Sequence, residues 1–319
     1  DTAFAAPDGI PKLRELILKL AMKGKLVPQD PNESPTSELL KSIEAEKMRL
    51  VKERRIRAPK PLPEITAIEE PYALPQGWKW VRLGAIGNIF NGNSINASEK
   101  ETKYAGVEGL PYIATKDVGY GFDPLNYDNG ICIPRDEEKF RIAHQGAVLI
   151  CAEGGSAGKK CGLTDRDVCF GNKLFANELY GKILSRFILY VYLSPTFRSS
   201  FTAAMTGIIG GVSIAKFLEI PIPLPPHEEQ LRIVNKIDEL MARCDELENL
   251  RAAQAERRIS GHAAALQQLL NVAEPEQHLN ARAFLAENFG DLYTVKENIA
   301  ELRKAILQLA MAGFLSSPM

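Results

Sequence analysis

The stretch that decides the fold is residues 221–250, which read Pro-Ile-Pro-Leu-Pro-Pro and then His-Glu-Glu-Gln-Leu-Arg-Ile-Val-Asn-Lys-Ile-Asp-Glu-Leu-Met-Ala-Arg-Cys-Asp-Glu-Leu-Glu-Asn-Leu. The prolines carry no amide hydrogen and hold the chain extended, and Pro226 suits the first position of a helix. Glu228 and Glu229 fall in the first turn of that helix, where the helix dipole favours negative charge. The pattern therefore predicts an extended segment that leads directly into a helix.

Apolar or small side chains recur along this helix at alternating steps of four and three residues. They are Ile233, Ile237, Leu240, Cys244 and Leu247. This spacing is the heptad seam of a coiled coil. Neither Pro nor Gly interrupts it before Gly261, so about 44 residues span on the order of 65 Å. Such a helix is either an ordinary interaction helix or a rigid spacer between two recognition modules.

Length and composition are those of a folded chain. The 319 residues suffice for two domains, or for one domain with long helical extensions, and 45% are hydrophobic. No run of about 18 apolar residues predicts a membrane span, and the first residues lack the pattern of a signal peptide. The five cysteines form no Cys-x-x-Cys pair, so we expect neither a zinc site nor disulfides, and a cytoplasmic location.

Charge is balanced overall but uneven along the chain. The net charge is −1, whereas residues 158–216 hold 8 basic and 3 acidic side chains. Because cations bind phosphates, this region permits contact with a nucleic acid on one face but does not require it.

Changes in pattern divide the chain into three regions. Residues 10–24 and 34–55 predict two helices, the first ended by Gly24, and five prolines between 58 and 75 predict an extended linker. The expected regions are an N-terminal helical segment with its linker (1–71), a mixed α/β domain (72–225) and a C-terminal helical region (226–319).

The middle region alternates short apolar segments with Gly, Asn and Asp turns. The predicted strands are 80–83, 86–90, 111–114, 130–133, 147–151 and 169–170. Residues 183–193 and 195–204 predict two helices, and residues 207–211 predict a loop.

An internal repeat brackets the chain. Nine of the fourteen residues in 13–26 are identical to those in 302–315, at a constant offset of 289. The repeat includes Leu-Ala-Met at 20–22 and again at 309–311. A repeat spaced by a whole domain indicates a modular chain whose unit can be duplicated.

No catalytic motif is complete in this sequence. Residues 154–159, Gly-Gly-Ser-Ala-Gly-Lys, fall one residue short of a P-loop, and Lys160 stands where Ser or Thr should bind magnesium. Residues 137–139 match only a fragment of a nuclease motif, and the four histidines have no triad or metal spacing. We therefore expect neither catalytic residues nor a metal site.

Several segments, in this order along the chain, resemble the specificity subunit of type I restriction–modification enzymes. They are Leu18-Lys-Leu-Ala-Met-Lys-Gly-Lys-Leu-Val-Pro-Gln-Asp-Pro31, Leu74-Pro-Gln-Gly-Trp-Lys-Trp-Val-Arg-Leu-Gly84, Pro111-Tyr-Ile-Ala-Thr-Lys-Asp-Val118, Leu149-Ile-Cys-Ala-Glu-Gly-Gly-Ser-Ala-Gly-Lys159, Gly171-Asn-Lys173, Gly207-Ile-Ile-Gly-Gly-Val-Ser213 and Pro221-Ile-Pro-Leu-Pro-Pro-His-Glu-Glu-Gln-Leu-Arg-Ile-Val234. The resemblance covers nearly the whole chain and rests on several independent motifs.

The resemblance implies a reader of double-stranded DNA without catalysis of its own. The implied fold is α/β, with one mixed α/β target recognition domain and a long α-helical coiled-coil spacer. The implied partners are methylation subunits, which use S-adenosylmethionine, and a restriction subunit, which uses ATP and Mg²⁺, while this chain binds no cofactor. Full-length members carry two recognition domains and two spacers, so a chain with one of each is a half-length subunit or a fragment.

Two other interpretations stay open at this point. The chain could be the recognition part of a fused restriction–modification enzyme, with a methyltransferase segment upstream. It could also be a coiled-coil adaptor without DNA function, which would show no salt-dependent affinity for DNA.

The candidate DNA-binding residues are cations for phosphates and polar side chains for base edges. They are Lys116, Ser156, Lys159, Lys160, Asn172, Lys173 and Ser213. Ser156 and Ser213 lie in glycine-rich loops where backbone amides can approach a phosphate, and Asn172 can pair with an adenine edge. The alternative is that these loops are simple turns and that Asn172 orders the domain's own backbone.

A second seam near the end of the chain matches the spacer. It comprises Ile299, Leu302, Ile306 and Leu309. We expect an antiparallel pair of the two helices within the chain, and a two-fold homodimer that covers the apolar surface left over. The alternative is a monomer whose helices fold back on themselves.

Overall fold

The computed structural model describes residues 8–207, 210–271 and 274–312. The chain forms two compact units, Asp1–Met241 and Ala242–Met319. In the described residues the first unit mixes helices and strands and the second is helical, so the expected α/β class with a long helical region is confirmed. Ile208, Ile209 and the repeat positions Gly313 and Leu315 lie outside the described residues.

Two helices open the first unit, α1 (Gly9–Met22) and α2 (Thr36–Lys52), as the sequence predicts. Gly24 ends α1 because its φ of 62° lies in the left-handed region that favours glycine. A Cβ at Gly24 would stand 2.3 Å from Cγ of Pro75. The segment that contains Pro75 can therefore pack this closely only against glycine.

The strands of the first unit form one two-stranded and two four-stranded sheets, with orders β1-β10, β2-β9-β6-β7 and β4-β3-β8-β5. The strands are β1 (Lys79–Arg82), β2 (Gly87–Asn91), β3 (Leu110–Ile113), β4 (Cys132–Ile133), β5 (Ile142–Ala143), β6 (Val148–Cys151), β7 (Cys161–Leu163), β8 (Val168–Phe170), β9 (Leu174–Leu179) and β10 (Pro221–Leu224). Pairing is antiparallel except between β3 and β8, which run parallel.

The core of the first unit lies between the two four-stranded sheets. β6 is buried along its whole length. Buried side chains from both sheets form one cluster, which includes Ile113, Leu149, Val168, Phe170, Leu174 and Ala176. Loops that leave the ends of these strands are therefore held by a rigid apolar base.

Of the ten strands in the described residues, six confirm predicted segments and four were not predicted. The six are β1, β2, β3, β4, β6 and β8. β5 and β7 have only two and three residues, too few to show an alternating pattern. β9 is buried at its first four residues, and the buried Asn177 interrupts its apolar run. The amide Nδ2 of Asn177 donates to the Tyr192 hydroxyl at 3.0 Å, so a polar residue is accommodated in the core.

The proline run is a paired strand rather than only an extended lead into the helix. In β10, Ile222 lies opposite Val81 and Leu224 opposite Lys79, while Pro221 and Pro223 alternate with them. Because every second residue of an edge strand turns its amide away from its neighbour, proline at these positions sacrifices no ladder bond.

Helices close the first unit. They are the short α3 (Leu83–Ile86) and α4 (Ala97–Thr102), then α5 (Ser185–Leu193), α6 (Pro195–Ala204) and α7 (Ile214–Leu218), with 3₁₀ turns at Ala67–Glu69 and Thr115–Asp117. α5 and α6 confirm two predicted helices. Ser194 caps α6, because its hydroxyl accepts the amide of Phe197 at 3.3 Å and Pro195 begins the helix.

The long helix α8 (His227–Leu270) has the 44 residues that the sequence predicts, or about 66 Å at the usual rise. Its first turn is anchored in the first unit through Glu229, which is only 1% exposed. The Glu229 carboxylate accepts Nε1 of Trp78 at 2.8 Å and Nε2 of Gln29 at 2.6 Å. Glu229 in the first turn is thus favoured by the helix dipole, and its hydrogen bonds also fix where the spacer begins.

Helices of the second unit return along the end of α8. They are α9 (Pro275–Glu287), α10 (Phe289–Leu292) and α11 (Lys296–Met311). α9 runs antiparallel to α8, because His278 Nδ1 meets the carbonyl of Leu269 at 2.8 Å while Asp291 beyond α9 meets Arg258 at 3.3 Å. The sequence did not predict α9, whose exposed Leu279 and Phe284 obscure its apolar face.

The expected antiparallel pairing of the spacer with the last helix is wrong. Asn298, at the start of α11, donates to the carbonyl of Arg258 at 3.2 Å, and Ala305 clusters with Ala265. Arg258 and Ala265 are seven residues apart on α8, and Asn298 and Ala305 are seven residues apart on α11, about 10 Å along each helix. Because the later residue of α11 lies by the later residue of α8, the two helices run parallel. The reason is α9, which reverses the chain once before α11 returns.

The predicted seams are buried unevenly. Ile233, Ile237 and Cys244 are buried and Leu240 is half-buried, whereas Leu247 is 44% exposed. In α11, Leu309 is buried and Leu302 half-buried, while Ile299 and Ile306 are exposed. Asn298 and Ala305 are buried on that helix instead, which rotates its packed face away from the predicted one.

Candidate nucleic-acid interface

Four segments meet at one end of the core strands. The amide of Ala152, after β6, donates to the carbonyl of Lys173, before β9, at 2.8 Å, and the amide of Val212 donates to the carbonyl of Ala152 at 3.0 Å. Nζ of Lys160 donates to the carbonyl of Thr115, after β3, at 3.2 Å. These bonds bring the segments that hold all seven candidate DNA-binding residues onto one end of the domain.

The glycine-rich loop is a connection between two strands, not the entry to a helix. It joins β6 to β7, and the amide of Ala157 donates to the carbonyl of Gly154 at 2.9 Å. Gly158 has a φ of 68°, and a Cβ there would lie 2.5 Å from the ring of Phe201. The loop therefore offers no helix N-terminus to a nucleotide phosphate, in agreement with the failed P-loop match.

The lysines of this surface differ in how firmly they are held. Lys116, Lys159 and Lys173 are exposed, and Nζ of Lys159 donates to the carbonyl of Gly155 at 3.1 Å. Lys160 is half-buried, with Nζ 4.9 Å from the ring centre of Tyr120. Each ammonium keeps donors for a phosphate, so these four cations make the surface electropositive.

The polar candidates Asn172, Ser156 and Ser213 differ in how far their side chains are used by the fold. Asn172 is exposed and lies next to Gly171, whose amide donates to the carbonyl of Ile113 at 2.9 Å. Ser156 is half-buried, and its Oγ lies 3.2 Å from the hydroxyl of Tyr120. Ser213 caps α7 by accepting the amide of Lys216 at 3.4 Å, so its hydroxyl is already used by the fold.

Sequence reasoning missed one aromatic residue on the same surface. Tyr120 is 57% exposed, on the loop that follows Lys116, whereas Phe122 of that loop packs against Tyr190 of α5, 5.6 Å between ring centres. The signal was the run Gly-Tyr-Gly-Phe at 119–122, where aromatic residues stand between flexible glycines close to a lysine. Exposed rings beside cations can stack on nucleic-acid bases.

Cys151, Cys161 and Cys169 are buried in the core of the domain. Burial raises the pKa of Cys161 to about 12 and that of Cys169 to about 11, and it raises the pKa of Cys151 as well. Because only a thiolate attacks, these thiols are not nucleophiles near neutral pH. In the described part of the chain no group of three or more His, Cys, Asp or Glu side chains could hold a metal, and no helix is long and apolar enough to cross a membrane.

A second basic surface lies at the opposite end of the strands. A cleft of about 720 Å³ is lined there by Arg55, Arg57 and Lys60. Arg141 also borders the cleft but bonds Asn91, which lies opposite Phe175 at the Lys173 end of β9. The cleft also borders Glu178, near the far end of β9 from Lys173. The two basic surfaces are therefore separated by the length of β9, about 20 Å at the usual rise.

Comparison with known proteins places the chain beside restriction–modification subunits. Residues 75–257 match the family model Methylase_S, described as the type I restriction modification DNA specificity domain. Two relatives from Escherichia coli are similar over almost the whole chain. The type I restriction enzyme EcoAI specificity subunit is 35% identical in an alignment of 323 positions that covers 96% of this chain and 52% of that protein. The EcoEI specificity subunit is 34% identical in an alignment of 330 positions that covers 97% of this chain and 52% of that protein.

Solved structures with detectable likeness are more distant. The HsdS subunit from Thermoanaerobacter tengcongensis is 22% identical, with a TM-score of 0.45 over 76% of this chain and 52% of that one. The type I restriction–modification S subunit from M. genitalium is 14% identical, with a TM-score of 0.39 over 77% of this chain and 53% of that one. The chain spans about half the length of the curated relatives it matches.

Proposed function

The chain belongs to the type I restriction–modification DNA specificity family, and from that premise we propose that it is the sequence-specific DNA-recognition subunit, or part of one, of a type I restriction–modification complex. The observation that carries the proposal is the match over residues 75–257, which contain the whole candidate interface. The cluster of lysines and polar residues at one end of the strands supports it.

In this proposal the surface reads DNA by two kinds of contact. Lys116, Lys159, Lys160 and Lys173 bind phosphates and set the register of the duplex. Asn172 and Ser156 reach base edges from loops fixed by the core. Ser213 acts through its loop backbone, since its hydroxyl caps α7.

We further propose that the chain directs chemistry that other subunits perform. Methylation subunits with S-adenosylmethionine and a restriction subunit with ATP and Mg²⁺ would dock on it, and the chain itself would supply no catalytic group. The incomplete P-loop, the isolated histidines and the protonated cysteines support this division of labour. The complex would act in the cytoplasm.

A genome-wide methylation map tests this function. The map is compared between the host, a strain that lacks this gene, and a strain that carries the gene with Asn172→Ala and Lys173→Ala. We expect one methylated motif to vanish without the gene and to fade in the variant. A map that is the same in all three strains contradicts the proposal, as does methyl transfer or ATP hydrolysis by the purified chain alone.

A further inference from the structure

The two copies of the internal repeat bury different faces. The buried apolar residues of α1 are Ile10, Ile17, Leu18, Ala21 and Met22, and their counterparts in α11 are the identical residue types Ile299, Ile306, Leu307, Ala310 and Met311. All five counterparts are exposed. Leu18 is 3% exposed but Leu307 is 64%, and Met22 is 1% exposed but Met311 is 82%. One apolar face is thus used in the first copy and bare in the second.

The partner of this face in the first copy is the helix pair α5–α6. α1 contacts both helices. Met22 borders a small cavity whose other walls include Val191, Phe197 and Tyr72, and the Tyr72 hydroxyl donates to the carbonyl of Met22 at 2.9 Å. The face therefore fits a specific apolar surface that buries its methionine side chain.

α11 is held in its own unit by its other side. Asn298, Ala305 and Leu309 are buried there, and Leu302 packs against the cluster that contains Leu266 of α8. The bare face is thus not the side on which α11 packs within the second unit. A contiguous apolar face of this kind on a helix is a docking surface.

The charges beside the face are reversed between the copies. Glu15 of α1 lies 3.8 Å from Arg198 of α6, and its counterpart in α11 is Lys304. Lys12 is likewise replaced by Glu301, which pairs with Lys304 at 2.7 Å. An α11 helix placed on this chain's own α5–α6 pair would bring Lys304 against Arg198.

We propose that the bare face of α11 docks the α5–α6 type of helix pair of a second recognition domain, and that Lys304 directs it away from the pair in this chain. The partner has an apolar surface that covers Met311 and an acidic side chain where this chain has Arg198. Identical apolar residues supply the affinity, and the inverted charge sorts the two repeat helices onto two different domains. This inference does not depend on DNA binding.

A tandem chain tests the docking face, with this chain's own recognition domain as the probe. Residues 27–241 are joined directly after residue 315, so that α11 precedes the appended copy as α1 precedes the first. Exposed Ser199→Ala in the appended copy marks its α6 peptide by mass in hydrogen-exchange measurements. In the Lys304→Glu tandem, where a carboxylate faces Arg198 of the appended copy, we expect Leu307→Asp to speed exchange of the marked α6 at least tenfold, and we expect Leu18→Asp to do the same for the first copy.

The controls make the result decisive. Leu279→Asp, at a leucine of α9 that is 62% exposed, should leave the marked peptide unchanged. In the chain without the appendage, Leu307→Asp should leave the melting temperature unchanged, because Leu307 is exposed there. Unchanged exchange of the marked α6 when Leu307→Asp is added to the Lys304→Glu tandem overturns the docking, as does an appended copy left unprotected both in the wild-type tandem and in the Lys304→Glu tandem.

Charge sorting has its own test in the tandem. Lys304→Glu recreates the pair with Arg198 of the appended copy and should slow exchange of the marked α6 about threefold, the size expected for one exposed ion pair. Lys296→Glu makes the same charge change on the same helix and should have no such effect. Equal effects of the two substitutions overturn the role of Lys304.

Discussion

At the scale of single residues, Lys159 and Lys160 are the most direct test of the proposed interface. The double substitution Lys159→Ala with Lys160→Ala removes two cations from one loop. We expect the assembled complex to bind its DNA more weakly, with the slope of log affinity against log salt reduced by about one to two, because that many phosphate contacts are lost.

A matched control for this pair comes from the second basic surface. Arg55→Ala with Arg57→Ala removes the same charge about 20 Å away, at the other end of β9. If the loop is the interface, the salt slope changes in the lysine variant and much less in the arginine variant. An unchanged slope in the lysine variant removes this loop from the interface.

Trp78 anchors the spacer through one hydrogen bond to a buried carboxylate. Burial raises the pKa of Glu229, and the Trp78 N–H opposes this by favouring the ionised form. The Glu229 carboxyl therefore keeps its proton to higher pH in the folded state than in the unfolded state. Its contribution to the free energy of unfolding is greatest at low pH and falls as pH rises above about 4.5.

Trp78→Phe should make the free energy of unfolding fall more steeply as pH rises. Without the indole donor the ionised carboxylate is less stabilised, so we expect a loss of about 2 kcal/mol in the free energy of unfolding at pH 7.5 and a smaller loss at pH 4.5. Urea denaturation at both values measures it. Trp80→Phe is the control, because Nε1 of Trp80 is buried without a hydrogen-bond partner among the described residues. Equal losses at the two pH values would contradict the anchoring role.

At the scale of elements, α8 is proposed to set the distance between two recognition domains in an assembled complex. Residues 249–255 are exposed or half-buried, so deleting them removes one heptad without opening a core. Seven residues shorten a helix by about 10 Å and nearly preserve its phase, so the preferred gap between half-sites should shrink by about three base pairs.

The readout for the spacer is the methylated motif or the preferred DNA spacing in a binding selection. Replacing residues 249–255 with seven other helix-forming residues keeps the length and should keep the gap. A gap that stays the same after the deletion shows that the helix does not set the distance.

At the scale of the whole molecule, the homodimer stays a prediction, and it now depends on fewer exposed apolar residues than the sequence suggested. The face of α1 that carries Ile17, Leu18 and Met22 is buried, and α1 packs on α5 and α6, so this face no longer calls for a partner. Leu247 and Leu250 of α8 remain exposed, at 44% and 59%. A two-fold pair through them would give two identical readers and a split palindromic target.

Light scattering at tens of micromolar chain measures this association. We expect a mass near two chains for the wild type and near one for Leu247→Asp with Leu250→Asp, since a charge at each leucine disrupts an apolar contact. Leu279→Asp serves as the matched surface control. A mass near one chain for the wild type, with and without DNA, rules out the dimer.

The sequence by itself determined the elements whose patterns are local. The proline run followed by glutamates predicted where α8 begins, and an uninterrupted stretch to Leu270 predicted its length. Short apolar segments bounded by Gly, Asn and Asp turns located six of the ten strands in the described residues, but not β9, the longest of them. The order of the motifs identified the family, since each is a short run read without knowledge of what it contacts.

Only the tertiary structure decided which faces and loops meet. Gly24 meets Pro75, Glu229 meets Trp78 and Gln29, and Tyr120 meets Ser156, all between residues far apart in sequence. The parallel return of α11 depends on α9, whose apolar pattern is weak. The two repeat helices have the same apolar residues but bury different faces, because burial is set by the surface that the rest of the chain presents to each helix, and periodicity within the helix carries no information about that surface.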